Sequence, residues 1–284
     1  MQFWMSLLFE PYDQLIAHAQ LAEELGFEGV VLPDHVVILE GDKTPHPTGY
    51  PLQADEAFPD VVVAFAAMAQ ATSTLRFMSH VLVVPLRDPF VLAKQLGTLA
   101  LFSGNRVVLG TGVGWLREEF ETVGHGWSDR GARMDEMLDI MQAFWNDGYA
   151  EHHGTHHEFD RSGMFPVPTQ PVPVVIGGHS EVAARRAARF DGYMPMRMLD
   201  EQTRHEFALI DALRAEQGRT GPYERIVPWF GADRADVARI ADEDGITGMM
   251  AMPWPMNSGL SLDEKHAAAR SFADTMITGP QEPS

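Results

Sequence analysis

The sequence predicts an α/β protein folded as a (β/α)8 TIM barrel. Three observations carry this. Short runs rich in Val, Ile, Phe and Met alternate with longer segments whose apolar residues recur near every 3.6 positions. Eight such pairs follow one another. The chain has 284 residues, about the length of one such barrel with insertions, which takes ~250 residues. Near-continuous apolar strands, each followed by a helix, imply a parallel sheet covered on both sides. A doubly wound open sheet has the same rhythm and is the main competitor on pattern alone.

The elements follow in order. Residues 2–8 are the first strand. Pro11 marks a first helical turn, and Leu15, Ala19, Ala22 and Leu25 share one face up to the stop at Gly26. Strand 29–32 leads into a long polar loop, 34–59, that contains Gly41, Pro45, Pro47, Gly49 and Pro51. Helix 60–71 and strand 75–84 come next, closed by Pro85. Pro89 opens a helix to about Phe102, and Ser103-Gly104-Asn105 is a turn before strand 106–110. Helix 129–145 carries Met134, Leu138, Met141 and Trp145 on one side. Residues 149–170 read as an inserted hairpin and loop. The alternation resumes with strand 172–176, helix 181–190, strand 192–196, helix 201–217, strand 226–230, helix 234–243, strand 246–252 and helix 262–276. Insertions therefore follow strands 2 and 4. Residues 1–284 read as one domain, with 279–284 a frayed, disordered tail.

Composition narrows the function. Hydrophobic residues are 45% and charged residues 21% of the chain, the profile of a globular protein. Lys plus Arg number 21 against 40 Asp plus Glu, a formal charge of −19. That balance opposes non-specific binding to nucleic acid or to an anionic membrane, while leaving room for a locally positive site. The absence of cysteine excludes disulfides, thiolate catalysis and cysteine-held metal. The first residues lack a basic stretch and meet Glu10 and Pro11 early, and no apolar run reaches membrane-spanning length, so a cytoplasmic location is expected.

In a (β/α)8 barrel the chemistry sits at the C-terminal ends of the strands. Pro33-Asp34-His35 follows the second strand. His35 is the candidate acid or base, because imidazole changes charge near neutrality. Gly110-Thr111-Gly112-Val113-Gly114-Trp115 follows the fourth. It misses the dinucleotide fingerprint, since G-x-G-x-x-G would need a glycine at Trp115. A loop of small residues against which a flat ligand lies, with Trp115 as a wall, and a plain turn are both open. Gly177-Gly178-His179-Ser180 precedes a helix and reads as a phosphate-binding turn or as an ordinary βα turn capped by Ser180. The histidines of 151–158 lack the one-face spacing of a zinc helix, and Gly154-Thr155 suggests a hairpin with His on both arms, so no metal site is expected. Among Arg130, Arg133, Arg185, Arg186 and Arg189 most are expected to pair with acids, and one could reach a phosphate.

The run PLRDPFVLAKQLGTLALFSGNRVVLGTGVGWLREEFETVG from Pro85, the later RGAR ending at Arg133, the VLPDH segment and PVPVVIGGHSEVAARRAARFDGY together resemble the luciferase-like monooxygenase superfamily. The resemblance is closest to its actinobacterial branch of coenzyme F420-dependent oxidoreductases, and it covers residues 1–200 best. It implies a barrel with insertions and a deazaflavin or flavin at the mouth. It places Asp34 and His35 beside the ring system, and a non-prolyl cis peptide at His80–Val81 behind it. It puts Val113, Gly114 and Trp115 along the cofactor side chain, and Gly177, Gly178 and His179 at the phosphate. Sugar-phosphate and alcohol dehydrogenases of the superfamily carry a catalytic glutamate where this chain has Trp115, which argues against those substrates. The acids nearest in sequence, Glu118 and Glu119, lie in the following helix and need not face the site. The resemblance implies an F420-dependent oxidoreductase that moves a hydride to or from a small organic substrate, and a homodimer. The alternatives are an FMN-dependent two-component monooxygenase, supplied with reduced cofactor by a separate reductase, and a non-catalytic flavin-binding barrel.

Overall fold

The computed structural model describes residues 1–41, 44–229 and 231–279. β1 (Gln2–Ser6) leads to α1 (Leu15–Glu24), β2 (Gly29–Leu32) and, after the long loop, α2 (Val61–Gln70). The third barrel strand comes in two pieces, β3 (Arg76–Ser79) and β4 (Leu82–Val83). α3 (Pro89–Ser103), β5 (Val107–Gly112), a short α4 (Arg117–Thr122) and α5 (Arg130–Asp147) follow. β6 (Tyr149–His153) and β7 (Glu158–Gly163) form an antiparallel hairpin of their own. The second half runs β8 (Val174–Gly178), α6 (Glu181–Ala187), β9 (Gly192–Pro195), α7 (Glu201–Glu216), β10 (Glu224–Pro228), α8 (Arg234–Asp244), β11 (Gly248–Ala251) and α9 (Leu262–Ala273).

The barrel strands pair in parallel in the order β3-β2-β1-β11-β10-β9-β8-β5-β4, and β3 also pairs with β5. That last pairing closes the ring and excludes an open sheet. The interior is filled by one buried side chain from each barrel strand: Trp4, Val31, Met78, Val108, Val175, Met194, Ile226 and Met250. Period-two alternation explains them, since every other residue of a strand points inward. The alternate apolar residues of these strands, such as Phe3, Met5, Val30 and Leu32, pack with the helices in a second, larger apolar layer.

Boundaries moved for local reasons. Residues 11–14 make a turn, Gln14 N–H donating to Pro11 O at 2.9 Å, so α1 starts at Leu15 and not at Pro11. Asp60 sits outside its helix as a cap and accepts from Val62 and Val63 N–H at 3.0 Å each. β5 and β8 run two residues past the expected ends because Gly112 and Gly178 still pair with their neighbours. Phe230 and residues 280–284, assigned above to a strand end and a tail, lie outside the described residues. Among the described residues no helix is long and apolar enough to cross a membrane.

Candidate active site

A cavity of about 560 Å³ opens at the C-terminal ends of β5 and β8. Its walls are Gly112–Trp115, Gly177–Ser180, the start of α5, and Pro45 with Pro47 from the long loop. Six of the residues that the resemblance places along the cofactor meet there: Val113, Gly114, Trp115, Gly177, Gly178 and His179.

Backbone forms much of this wall for steric reasons. A Cβ on Gly177 would stand 2.4 Å from Val81 Cγ1, so Val81 can lie over the barrel interior only if residue 177 is glycine. Gly178 has φ +155°, and a Cβ there would meet Ala183 at 2.6 Å. Its carbonyl receives the Tyr193 hydroxyl at 3.2 Å and Met196 N–H at 3.3 Å, which fixes the turn. His179 and Ser180 are exposed into the cavity, and Ser180 Oγ accepts from Ala183 N–H as the expected cap.

Arginine supplies the positive charge. Arg133 pairs with Asp129, Arg185 with Glu181, Arg186 with Asp135, and Arg189 with Asp139. Arg130 differs. It donates to the carbonyls of Trp127 (2.9 Å) and Gly114 (3.4 Å), stacks 3.6 Å over the Trp127 ring, and has no carboxylate partner among the described residues. Burial lowers its pKa from a value far above neutrality, so it remains a cation. A half-buried guanidinium without an acid, beside a glycine-walled cavity, suits a phosphate. The donor set and the bare backbone wall therefore fit a phosphorylated flat cofactor.

The other half of the site adjoins the cavity through Trp115 and Val81. His35 meets Trp115 edge-on at 5.6 Å between centroids. Its Nδ1 lies 2.9 Å from Glu119 Oε2, while Glu119 Oε1 accepts the N–H groups of Val36 (2.5 Å) and Val37 (3.3 Å). Glu119 is only 1% exposed. A carboxylate accepts, so His35 Nδ1 carries the proton and Nε2 is the ring's remaining edge. Asp34, expected against the cofactor, instead accepts from Arg87 Nη2 at 2.6 Å and from Val83 N–H at 3.1 Å. Burial raises the Asp34 pKa and the Arg87 charge opposes that rise. The His80–Val81 peptide is cis, as the resemblance implied. Burial pushes the His80 imidazole down to about 4, so it is neutral at physiological pH.

Glu119, an acid that by sequence need not face the site, does face it through His35. The structure turns it to His35 because it lies on the buried face of α4, beside Phe120 and one turn from Leu116, both fully buried. The i, i+3, i+4 spacing of Leu116, Glu119 and Phe120 was the available signal. The histidine-rich stretch is a hairpin, and no group of acids and histidines among the described residues could hold a metal.

The sequence profile of the luciferase-like monooxygenase family matches residues 1–272. An uncharacterised protein of Mycobacterium tuberculosis (strain ATCC 25618 / H37Rv) is 33% identical over 98% of this chain and 99% of its own. An F420-dependent glucose-6-phosphate dehydrogenase of Amycolatopsis mediterranei is 29% identical over 66% of this chain and 54% of that one. An FMNH2-dependent dimethylsulfone monooxygenase of Pseudomonas putida is 30% identical over 60% and 44%. In three dimensions the chain resembles a monooxygenase from Streptomyces bottropensis, with a TM-score of 0.82 at 19% identity over 98% of this chain and 99% of that one.

Proposed function

The chain belongs to the luciferase-like monooxygenase family, and from that premise we propose that it is an F420-dependent oxidoreductase acting on a small organic carbonyl, alcohol or activated alkene. When bound, the deazaflavin supplies a two-electron hydride carrier that reacts poorly with oxygen. The chain's own residues do the rest. Arg130 and the 177–179 turn hold the phosphate, and Val113, Gly114 and Trp115 flank the cofactor side chain. Val81, wedged against Gly177, backs the ring. His35 takes or gives the proton that accompanies hydride transfer.

The contact that carries this reading is Glu119 on His35 Nδ1. It fixes the imidazole in one tautomer and leaves Nε2 for the substrate. With Trp115 in place of a glutamate, His35 is the proton-handling group at the mouth whose tautomer a buried carboxylate fixes.

The 30% identity to an FMNH2-dependent enzyme favours a second reading, an FMN-dependent monooxygenase fed by a separate reductase. Oxygen uptake separates the two. With reduced F420 and an organic acceptor, we expect cofactor oxidation that depends on the acceptor and consumes no oxygen. Oxygen uptake coupled to product formation with reduced FMN, and none of that oxidation with reduced F420, would reject the first reading. Tight binding of cofactor without turnover of any acceptor would leave a non-catalytic barrel. The same reading takes the protein as a homodimer. α2 and α3 lie side by side and leave Val63, Val91 and Phe102 more than half exposed.

A further inference from the structure

Six rings form a closed circuit over the barrel mouth. His35 meets Phe58 at 4.9 Å, Phe58 meets Phe9 at 5.6 Å, and Phe9 meets Tyr50 at 5.0 Å. Tyr50 meets His46 at 6.2 Å, His46 meets Trp115 at 4.7 Å, and Trp115 returns to His35 at 5.6 Å. The rings come from three separate segments: the turn after β1, the long loop after β2, and the turn after β5. All six are half-buried. Phe9, Tyr50, Phe58 and Trp115 belong to none of the apolar clusters of the interior. They therefore serve no core, yet they are gathered beside His35, where partly wetted aromatic surface carries a cost unless something covers it.

We propose that this circuit is the substrate subsite, and that it takes a neutral substrate whose body is a flat aromatic or conjugated ring system. The proposal rests on the redox reading of the mouth. Five of the six contacts are edge-on, with planes 77–83° apart, and one is stacked at 23°. An edge-on contact takes up one face of one ring only, so the circuit keeps ring faces for a flat guest.

The polar edges select a neutral guest. Thr48 N–H donates to His46 Nδ1 at 3.2 Å, which makes that nitrogen an acceptor and puts the proton on Nε2. Burial, together with the neighbouring His35, lowers the His46 pKa, so the ring stays neutral with one N–H to offer. Such a donor favours a carbonyl or hydroxyl oxygen and opposes an ammonium. Tyr50 is satisfied by donating to Glu56 Oε1 at 2.6 Å and accepting from Asn257 Nδ2 at 2.9 Å, so it offers a guest its ring and no charge.

Calorimetric titration with three probes tests this, first on the protein alone, so that the outcome is independent of the hydride-transfer reading. It is repeated with saturating F420 or FMN, where loss of probe binding would give the rings to the cofactor and overturn the proposal. The probes are 2-acetonaphthone, the flexible ketone 2-decanone, and tetramethylammonium. We expect 2-acetonaphthone to bind at least tenfold tighter than either of the others. Phe58→Leu and Phe9→Leu should each weaken it about fivefold or more, with unchanged circular dichroism and melting. Equal binding of 2-decanone, preferential binding of tetramethylammonium, or parent-like affinity in either folded variant would overturn the proposal. If the naphthyl ketone binds as expected and no reduced cofactor is oxidised, the redox reading fails and the subsite stands.

Discussion

At the residue scale the proposed chemistry turns on His35 and the groups that hold it. His35→Gln keeps size and a hydrogen-bonding group but cannot titrate. Turnover of a validated substrate should fall by ~10²-fold or more, with cofactor affinity unchanged. A loss within threefold would remove the catalytic role. Glu119→Gln leaves the shape of the contact and abolishes the obligatory acceptor, so the ring can reverse its tautomer. Steady-state rates should drop at least about tenfold with little change in KM, since a mis-set tautomer impairs proton transfer more than binding. Arg130→Gln tests the anion site separately and should weaken cofactor binding about tenfold, ~1.4 kcal/mol. The sequence named His35 and left Arg130 among five candidates, because which arginines meet acids depends on contacts such as Arg186 with Asp135, 51 positions apart. Glu119 could be named but not placed at the site, for a related reason. Its partner lies 84 positions away, and only the docking of α4 under the mouth joins them.

At the element scale two carboxylates fasten the loops of the mouth. Glu10, after β1, receives His18 of α1 (3.2 Å), Lys265 of α9 (2.6 Å) and Trp254 (2.7 Å). It thereby ties the first βα unit to the last. Burial alone would raise its pKa, but these three donors and the Lys265 charge outweigh burial and hold it at about 2. The folded value lies below the ordinary 4.5. The stabilisation is therefore complete above pH ~4.5 and is lost as the pH falls towards 2. Glu10→Gln, which leaves Lys265 buried without its acid, should cost about 3–5 kcal/mol at pH 7. The gap between parent and variant in urea melts should close as the pH drops from 5 to 2, and a gap that is constant across that range would contradict the assignment. Glu136 does similar work for the β6–β7 hairpin by accepting the N–H groups of Thr155, His156 and His157 at 2.8–3.1 Å. The hairpin itself was readable from Gly154-Thr155, whereas its anchoring to α5 was not, because no local pattern marks a carboxylate that receives three successive amides.

At the scale of the whole molecule, the barrel was legible because eight apolar runs of strand length each precede a helix, and that rhythm survives every boundary shift. Closure was not legible, since a β3–β5 pairing leaves no trace in composition. Neither was the use of Trp4, Met78, Met194 and Met250 inside the ring while neighbouring residues of the same strands face the helices. The loop from 34 to 59 read only as polar and proline-rich, yet it brings four of the six mouth rings to Phe9 and Trp115. The proposed homodimer belongs to this scale too. Sedimentation at micromolar concentration should give twice the 31.5 kDa chain mass, and Phe102→Glu should shift it towards the monomer. A parent protein that sediments as a monomer would contradict it. The proposed function has the mouth hold a deazaflavin and serve the proton transfer that goes with it. Its most direct test is an anaerobic equilibrium titration of the purified protein with F420 and, in parallel, with FMN. Saturable F420 binding at least tenfold tighter than that of FMN is expected. FMN binding equally well or better, or no saturable binding of F420, would contradict it.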